Sequence, residues 1–145
     1  MYNYDVYDDV LRRVKNGCIV VLILTLVLAA FLLCMNVKGH LAKGKPLIKL
    51  LINSFVGGIV VAELIYFGIS IGNIITDINE QSYIVYEGEF VVSEHNDGYT
   101  TIIVDGEKTT LSGEADLPGG TYLGEVVYGK NSKHAVDWFV EETLK

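Results

Sequence analysis

Cysteine is nearly missing from this chain. Its two copies, Cys18 and Cys34, sit at the two ends of one apolar run, and the C-terminal half has none. A disulfide framework is therefore excluded there, and cysteine usage does not reveal the redox compartment. Cys34 follows the bulky Leu32-Leu33 pair, where a lipid-attachment site has a small residue, so it reads as a space-filling side chain in an apolar helix. Metal-ligand spacing is absent too: His40, His95 and His134 are scattered, with no second ligand at a useful interval. Glu94, His95 and Asp97 cluster at an expected turn and read as a solvated loop rather than an acid–base pair. No Ser, Cys or Lys shows a base at a revealing spacing. Gly57-Gly58 and Gly119-Gly120 lack the lysine and following helix of a phosphate loop. The sequence thus assigns no catalytic residue, no metal ligand and no cofactor, and the expectation is a protein that is not an enzyme.

Positive charge is scarce beyond residue 75, where four Lys stand against fourteen Asp or Glu. Such a tail argues against nucleic acid and against an anionic lipid surface, and fits a solvated domain or a cationic protein partner.

What the chain does have is two long apolar runs, Cys18 to Met35 and Leu47 to Ile75. The first carries no charge and only Thr25 as a polar interior group; as a helix it spans roughly 27 Å, close to a bilayer core of about 30 Å. A cleaved signal peptide has a shorter apolar region ending at a small-x-small site, whereas Ala29-Ala30 is followed by Phe31 and Leu32. A retained span is the better account. The second run is long enough to cross with tilt. The short link Asn36 to Pro46 makes the pair an antiparallel hairpin, since open backbone cannot sit in lipid. The expected organisation is an amphipathic juxtamembrane segment over 1–16, a transmembrane helical hairpin over 17–75 with spans at about 18–35 and 47–75, and a soluble β domain over 82–145. In the first segment Val6, Val10 and Val14 recur every four residues on one face, lying on the membrane or extending the first span.

Basic residues near the spans bear on orientation. Lys38, Lys43, Lys45 and Lys49 lie in or beside the link, Arg12, Arg13 and Lys15 before the first span, and none follows the second span until Lys108. The count favours a cytoplasmic link with both termini, and so the β domain, outside; the clustering of Arg12, Arg13 and Lys15 beside the first span argues the other way. Topology is the plain role of these seven residues, with lipid-headgroup binding as the alternative.

Glu63 falls near the middle of the second run. A carboxylate at that depth costs roughly 3 kcal/mol on insertion scales, so it is expected to be neutral or to face a partner. Tyr66, Phe67 and Ser70 fall near its helix face, and Tyr66 and Ser70 are candidate hydrogen-bond partners. The first span offers only Thr25 at similar depth and no basic residue, so any charge partner comes from another chain. Interhelical hydrogen bonding, a functional ionisable site and a tolerated cost all remain open. The same run holds Ser54, Gly58 and Ala62 at intervals of four, and Gly68 and Gly72 as a GxxxG. Such rows let helix backbones approach, whether in self-association, against a partner membrane helix, or against the chain's own first span.

From Ser82 the apolar period becomes alternating. Strands are expected around Ile84 to Val92, Tyr99 to Val104, Lys108 to Leu111, Thr121 to Tyr128 and Ala135 to Val140, with Gly88 as a bend or bulge. Asn96-Asp97-Gly98, Asp105-Gly106 and Leu117-Pro118-Gly119-Gly120 supply turns. The predicted core is Ile84, Tyr86, Phe90, Val92, Ile102, Val104, Leu111, Tyr122, Val126, Tyr128, Val136 and Trp138. The fold class is therefore α+β: a two-helix transmembrane hairpin, then a small antiparallel β-barrel or sandwich of about five strands.

Over residues 104–137, Asp105-Gly106, Gly119-Gly120 and Val126-Val127-Tyr128 resemble the tail of small bacterial two-helix membrane proteins of unknown function that carry a C-terminal β domain. That family often has prolines after the tyrosine, where this chain has Gly129-Lys130-Asn131-Ser132-Lys133. The resemblance implies the architecture and a bacterial plasma membrane, and no activity. The leading expectation is a membrane-anchored interaction or accessory protein displaying a small acidic β domain. The alternatives are a membrane immunity protein neutralising a cationic toxin, and a small ion or proton conductor centred on Glu63.

Overall fold

The computed structural model describes residues 2–41, 43–93 and 98–144. Two helices precede a five-stranded antiparallel sheet: α1 Tyr4–Val37, α2 Pro46–Glu80, then β1 Tyr83–Val92, β2 Tyr99–Val104, β3 Glu107–Ser112, β4 Gly120–Gly129 and β5 Ala135–Thr143. The chain divides into two compact units. One is Val14–Gly72; the other joins Met1–Arg13 with Asn73–Lys145.

The helices begin and end where local chemistry says they should. Asn3 accepts from the Val6 and Tyr7 amides as the cap of α1, and Asp5 in the first turn suits the helix dipole. Gly39, at φ 79°, closes α1 in a Schellman motif, with the His40 amide on the Met35 carbonyl and the Gly39 amide on Asn36. Pro46 opens α2 at a position where its missing N–H costs nothing. At 34 and 35 residues both helices are long and apolar enough to cross a membrane. α1 runs unbroken from Tyr4, so the N-terminal segment consists of the first turns of the same helix. Its buried stripe is Tyr7, Asp8 and Leu11; the expected valine stripe is not the packed one, since Val6 is 51% exposed.

The strand order is β3-β2-β1-β4-β5, with β1 central. The sheet curls over its own concave face. Phe90, Val92, Ile102, Leu111, Tyr122, Val126, Tyr128 and Ala135 fill that face, Ile84, Tyr86 and Trp138 pack against it, and Ala115 and Leu117 from the β3–β4 connection join the cluster. Val136 is buried as well, but Val104 is not: it sits at the β2–β3 turn and is 36% exposed. Closure into a barrel is not supported. The edge strands meet only at an isolated parallel bridge, Ser112↔His134, with no ladder between them. β2 and β3 are six residues long against ten in β1 and β4, too short for the β3 edge to zip along β5. The sheet stays open, and a sandwich-like fold-over is the remaining description.

Asp105 and Gly106 both have positive φ, 51° and 81°, the signature of a type I′ hairpin turn. Gly88 is not a bulge: it pairs in register with Gly124, and the Tyr86 ring lies over it. The register shifts fall instead between β4 and β5, at Leu123/Gly124 and Val127/Tyr128. The expected Asn96-Asp97 turn and the Glu94, His95, Asp97 cluster lie outside the described residues.

Candidate functional site

Within the helical unit, α1 and α2 flank an open apolar groove of about 230 Å³, lined by Thr25, Leu28, Ala29 and Leu32 from α1 and by Phe55, Val56, Ile59, Val60 and Glu63 from α2. These α2 positions follow the helical period, which turns them toward α1. Among the described residues, Glu63 is the only ionisable group in the lining. Its Oε2 atom is buried without a hydrogen-bond partner. Thr25, the other polar lining residue, bonds its Oγ1 to the Val21 and Leu22 carbonyls of its own helix at 3.0 Å each.

The two expected partners of Glu63 do not reach it. Ser70 donates to the Tyr66 carbonyl at 2.9 Å, one turn back on the same helix. Tyr66 is 67% exposed and packs edge-on against Phe67. Their helix angle places them near the Glu63 face, but Ser70 spends its hydroxyl on its own helix and the Tyr66 ring turns outward.

The small-residue row occupies the other side of α2. Ser54, Gly58, Ala62, Gly68 and Gly72 are all exposed. A Cβ added to Gly58 or Gly68 would meet nothing within 4 Å. At about 100° per residue these positions centre roughly opposite Glu63. The chain's own first helix therefore does not use them.

At the turn end of the hairpin, Asn36 is fully buried and its amide donates to the Lys49 carbonyl at 2.9 Å and to Asn53 Oδ1 at 2.7 Å. Lys49 Nζ in turn bonds the Val37 carbonyl at 2.9 Å, while Lys38, Lys43 and Lys45 are exposed. Of the basic residues before the first run, Arg12 pairs with Asp9 at 3.8 Å, an exposed pair that contributes little; Arg13 is exposed and Lys15 half-buried.

The sheet unit holds two buried carboxylates, Asp77 and Asp8, and a half-buried one, Asp137, whose partners the sequence did not disclose. Asp77, in the last turn of α2, is fully buried. It accepts from the Asn131 amide at 2.9 Å, from Asn131 Nδ2 at 2.8 Å and from the Ser132 amide at 2.8 Å. The β4–β5 turn thus wraps a carboxylate, and Gly129 lies so close that a Cβ there would collide with Asp77 and Ser132. Nearby, Tyr83 donates to Asp8 at 2.5 Å and Tyr7 to Asp137 at 3.1 Å. Tyr4 stacks on Tyr83 with ring centroids 5.7 Å apart. Burial, reinforced by the Asp137 carboxylate, pushes the Tyr7 phenol up to about 12. Burial and then Asp8 raise Tyr83 further. Both phenols therefore stay protonated donors at neutral pH. The one available signal was Asp77 itself, an acid at a helix C-terminus, where the dipole disfavours it.

Ser112 Oγ lies 2.9 Å from His134 Nδ1, across the corner where β3 meets the start of β5. Desolvation lowers the His134 pKa. The pair fastens the open edge of the sheet. Among the described residues, no three His, Cys, Asp or Glu side chains converge as metal ligands would. The chain matches no protein-family model, no curated protein and no solved structure.

Proposed function

We propose that this protein is a non-enzymatic, membrane-anchored interaction protein: α1 and α2 cross a bilayer as a hairpin, and the chain presents a small acidic β unit beside the membrane. The observation that carries this is the outward face of the two helices. Val20, Leu24, Val27 and Phe31 on α1, and Leu50, Leu51, Val61, Ile65 and Ile69 on α2, are each more than half exposed. An apolar surface of that extent is unfavourable in water and natural in lipid. The lysine-rich link favours the cytoplasmic side for the turn, with the β unit outside. The exposed small-residue row on α2 supports a second helix as the partner inside the membrane, where close backbone approach is the main source of affinity.

A photoreactive side chain placed at Gly58 or Gly68 tests this in membranes. The proposal expects crosslinking to a protein helix, either another protein's or a second copy's, and loss of that product when the neighbouring small residue is replaced by Leu. Crosslinking to lipid alone, with Leu tolerated, contradicts it.

A further inference from the structure

We infer that the groove between α1 and α2 is a docking site for a partner transmembrane helix carrying one Lys or Arg at mid-membrane depth, whose cation pairs with Glu63. The inference rests on the proposal that these helices span a bilayer, and it names the chemistry of a partner on a different face from the small-residue row.

Three observations converge. The groove is open and apolar, about 230 Å³, so its lining suits hydrocarbon side chains. Glu63 is part of its lining, and the Oε2 atom of its carboxyl is buried and unpartnered. An ionisable group inside a membrane protein normally faces a partner or an aqueous path, because a lone charge in hydrocarbon is expensive. The other polar side chain in the lining, Thr25, donates its hydroxyl proton to its own helix.

The chain cannot supply the missing partner itself. Between Gly17 and Val37, and between Leu50 and Ile75, there is no Lys, Arg or His. A second copy would bring another carboxyl and no cation. Charge complementarity therefore selects a different chain with a basic residue at the depth of Glu63. Such a residue is costly in its own helix, so pairing relieves both partners at once and makes the contact selective as well as favourable.

The test uses the full-length protein in lipid nanodiscs or vesicles and two model peptides. Each peptide is a polyleucine transmembrane helix, one with a single central Lys and the other with Leu there. Association is read by energy transfer between labelled protein and labelled peptide. The inference expects the Lys peptide to associate about tenfold more tightly than the Leu peptide, a preference of about 1.4 kcal/mol. Glu63→Gln should remove the preference, and Val20→Leu, on the exposed surface of α1 away from the groove, should keep it. A second groove variant, Ala29→Leu, guards against misfolding of the first: filling the groove should weaken the Lys peptide with Glu63 intact. Equal affinity for both peptides, or a preference that survives Glu63→Gln, overturns the inference. So does Glu63-dependent association of the protein with itself, which would make a second copy the occupant. If the protein fails to insert at all, the spanning proposal fails with it, and detergent-free flotation with the vesicles shows which of the two has failed.

Discussion

Asp77 closes a helix with the charge that its position disfavours. The C-terminal carbonyls of α2 repel a carboxylate, and no basic residue stands in the last turn to offset it. The compensation comes from the chain 54 and 55 residues onward, where Asn131 and Ser132 deliver three N–H donors into a fully buried site. Removing the acceptor would leave those donors unpaired, each worth about 1–3 kcal/mol when buried. Asp77→Ala is therefore expected to lower the stability of the sheet unit by about 3 kcal/mol. The single tryptophan, Trp138, reports it: its fluorescence should show a clearly lower urea midpoint in the full-length variant. A shift of less than about 0.5 kcal/mol, typical of an unimportant surface change, would remove Asp77 from this role. None of this was legible beforehand, because a carboxylate's donors can lie anywhere in the chain. Glu63 was legible as an anomaly, since its depth alone makes it costly; which side chains surround it was not. Tyr66 and Ser70 were expected there, and the groove lining came instead from Thr25 and the apolar residues of α1.

Among the elements, those specified by local chemistry were the readable ones. Asp105-Gly106 announced its hairpin because two positive φ values in succession need those residue types. The change from helical to alternating period located all five strands. Gly88 was misread for an instructive reason: a glycine inside a strand marks either a bulge or a close approach, and only the neighbouring strand decides. Here it is the Tyr86 ring, whose hydroxyl reaches the Glu89 carbonyl at 2.9 Å, that lies across the Gly88–Gly124 pair. Gly124 carries the tighter constraint. Its φ is 157°, and a Cβ would run into the Phe139 carbonyl oxygen beside the first β4–β5 register shift. Gly124→Ala is expected to loosen β5 from β4 while sparing the β2–β3 hairpin. Amide exchange should then accelerate at Trp138 to Val140 and stay slow at Ile102 and Thr109, which exchange hydrogen bonds in the hairpin. Uniform acceleration across all strands, or none, contradicts that account. Barrel closure was equally beyond the sequence. It depends on whether the two edges have matching lengths, and β3 ends too soon.

On the proposed reading, the whole molecule is governed by two solvents. Between residues 14 and 72 apolar side chains point outward, whereas in the sheet they point inward around Phe90, Ile102, Leu111 and Val126. Composition disclosed this division, since the tail carries fourteen of the eighteen acidic residues and the helices most of the long aliphatic runs. It did not disclose that the first helical turns and the last turn of α2 pack with the sheet, because Tyr7, Asp8 and Asp77 find their partners only in three dimensions. The central claim is that the two helices cross the bilayer as a hairpin, which puts the Gly39–Gly44 turn and the β unit on opposite sides. The decisive measurement replaces Cys18 and Cys34 with Ala and introduces one cysteine at a time: at His40 in the turn, at Glu107 on the sheet, and at Leu28 within α1. Each variant is treated with an impermeant maleimide in intact cells and again after the membrane is opened. The account predicts that the Glu107 site reacts in intact cells, that the His40 site reacts only after opening, and that the Leu28 site reacts in neither case. Reaction of the His40 and Glu107 sites from the same side of a sealed membrane, or ready labelling at Leu28, would contradict it.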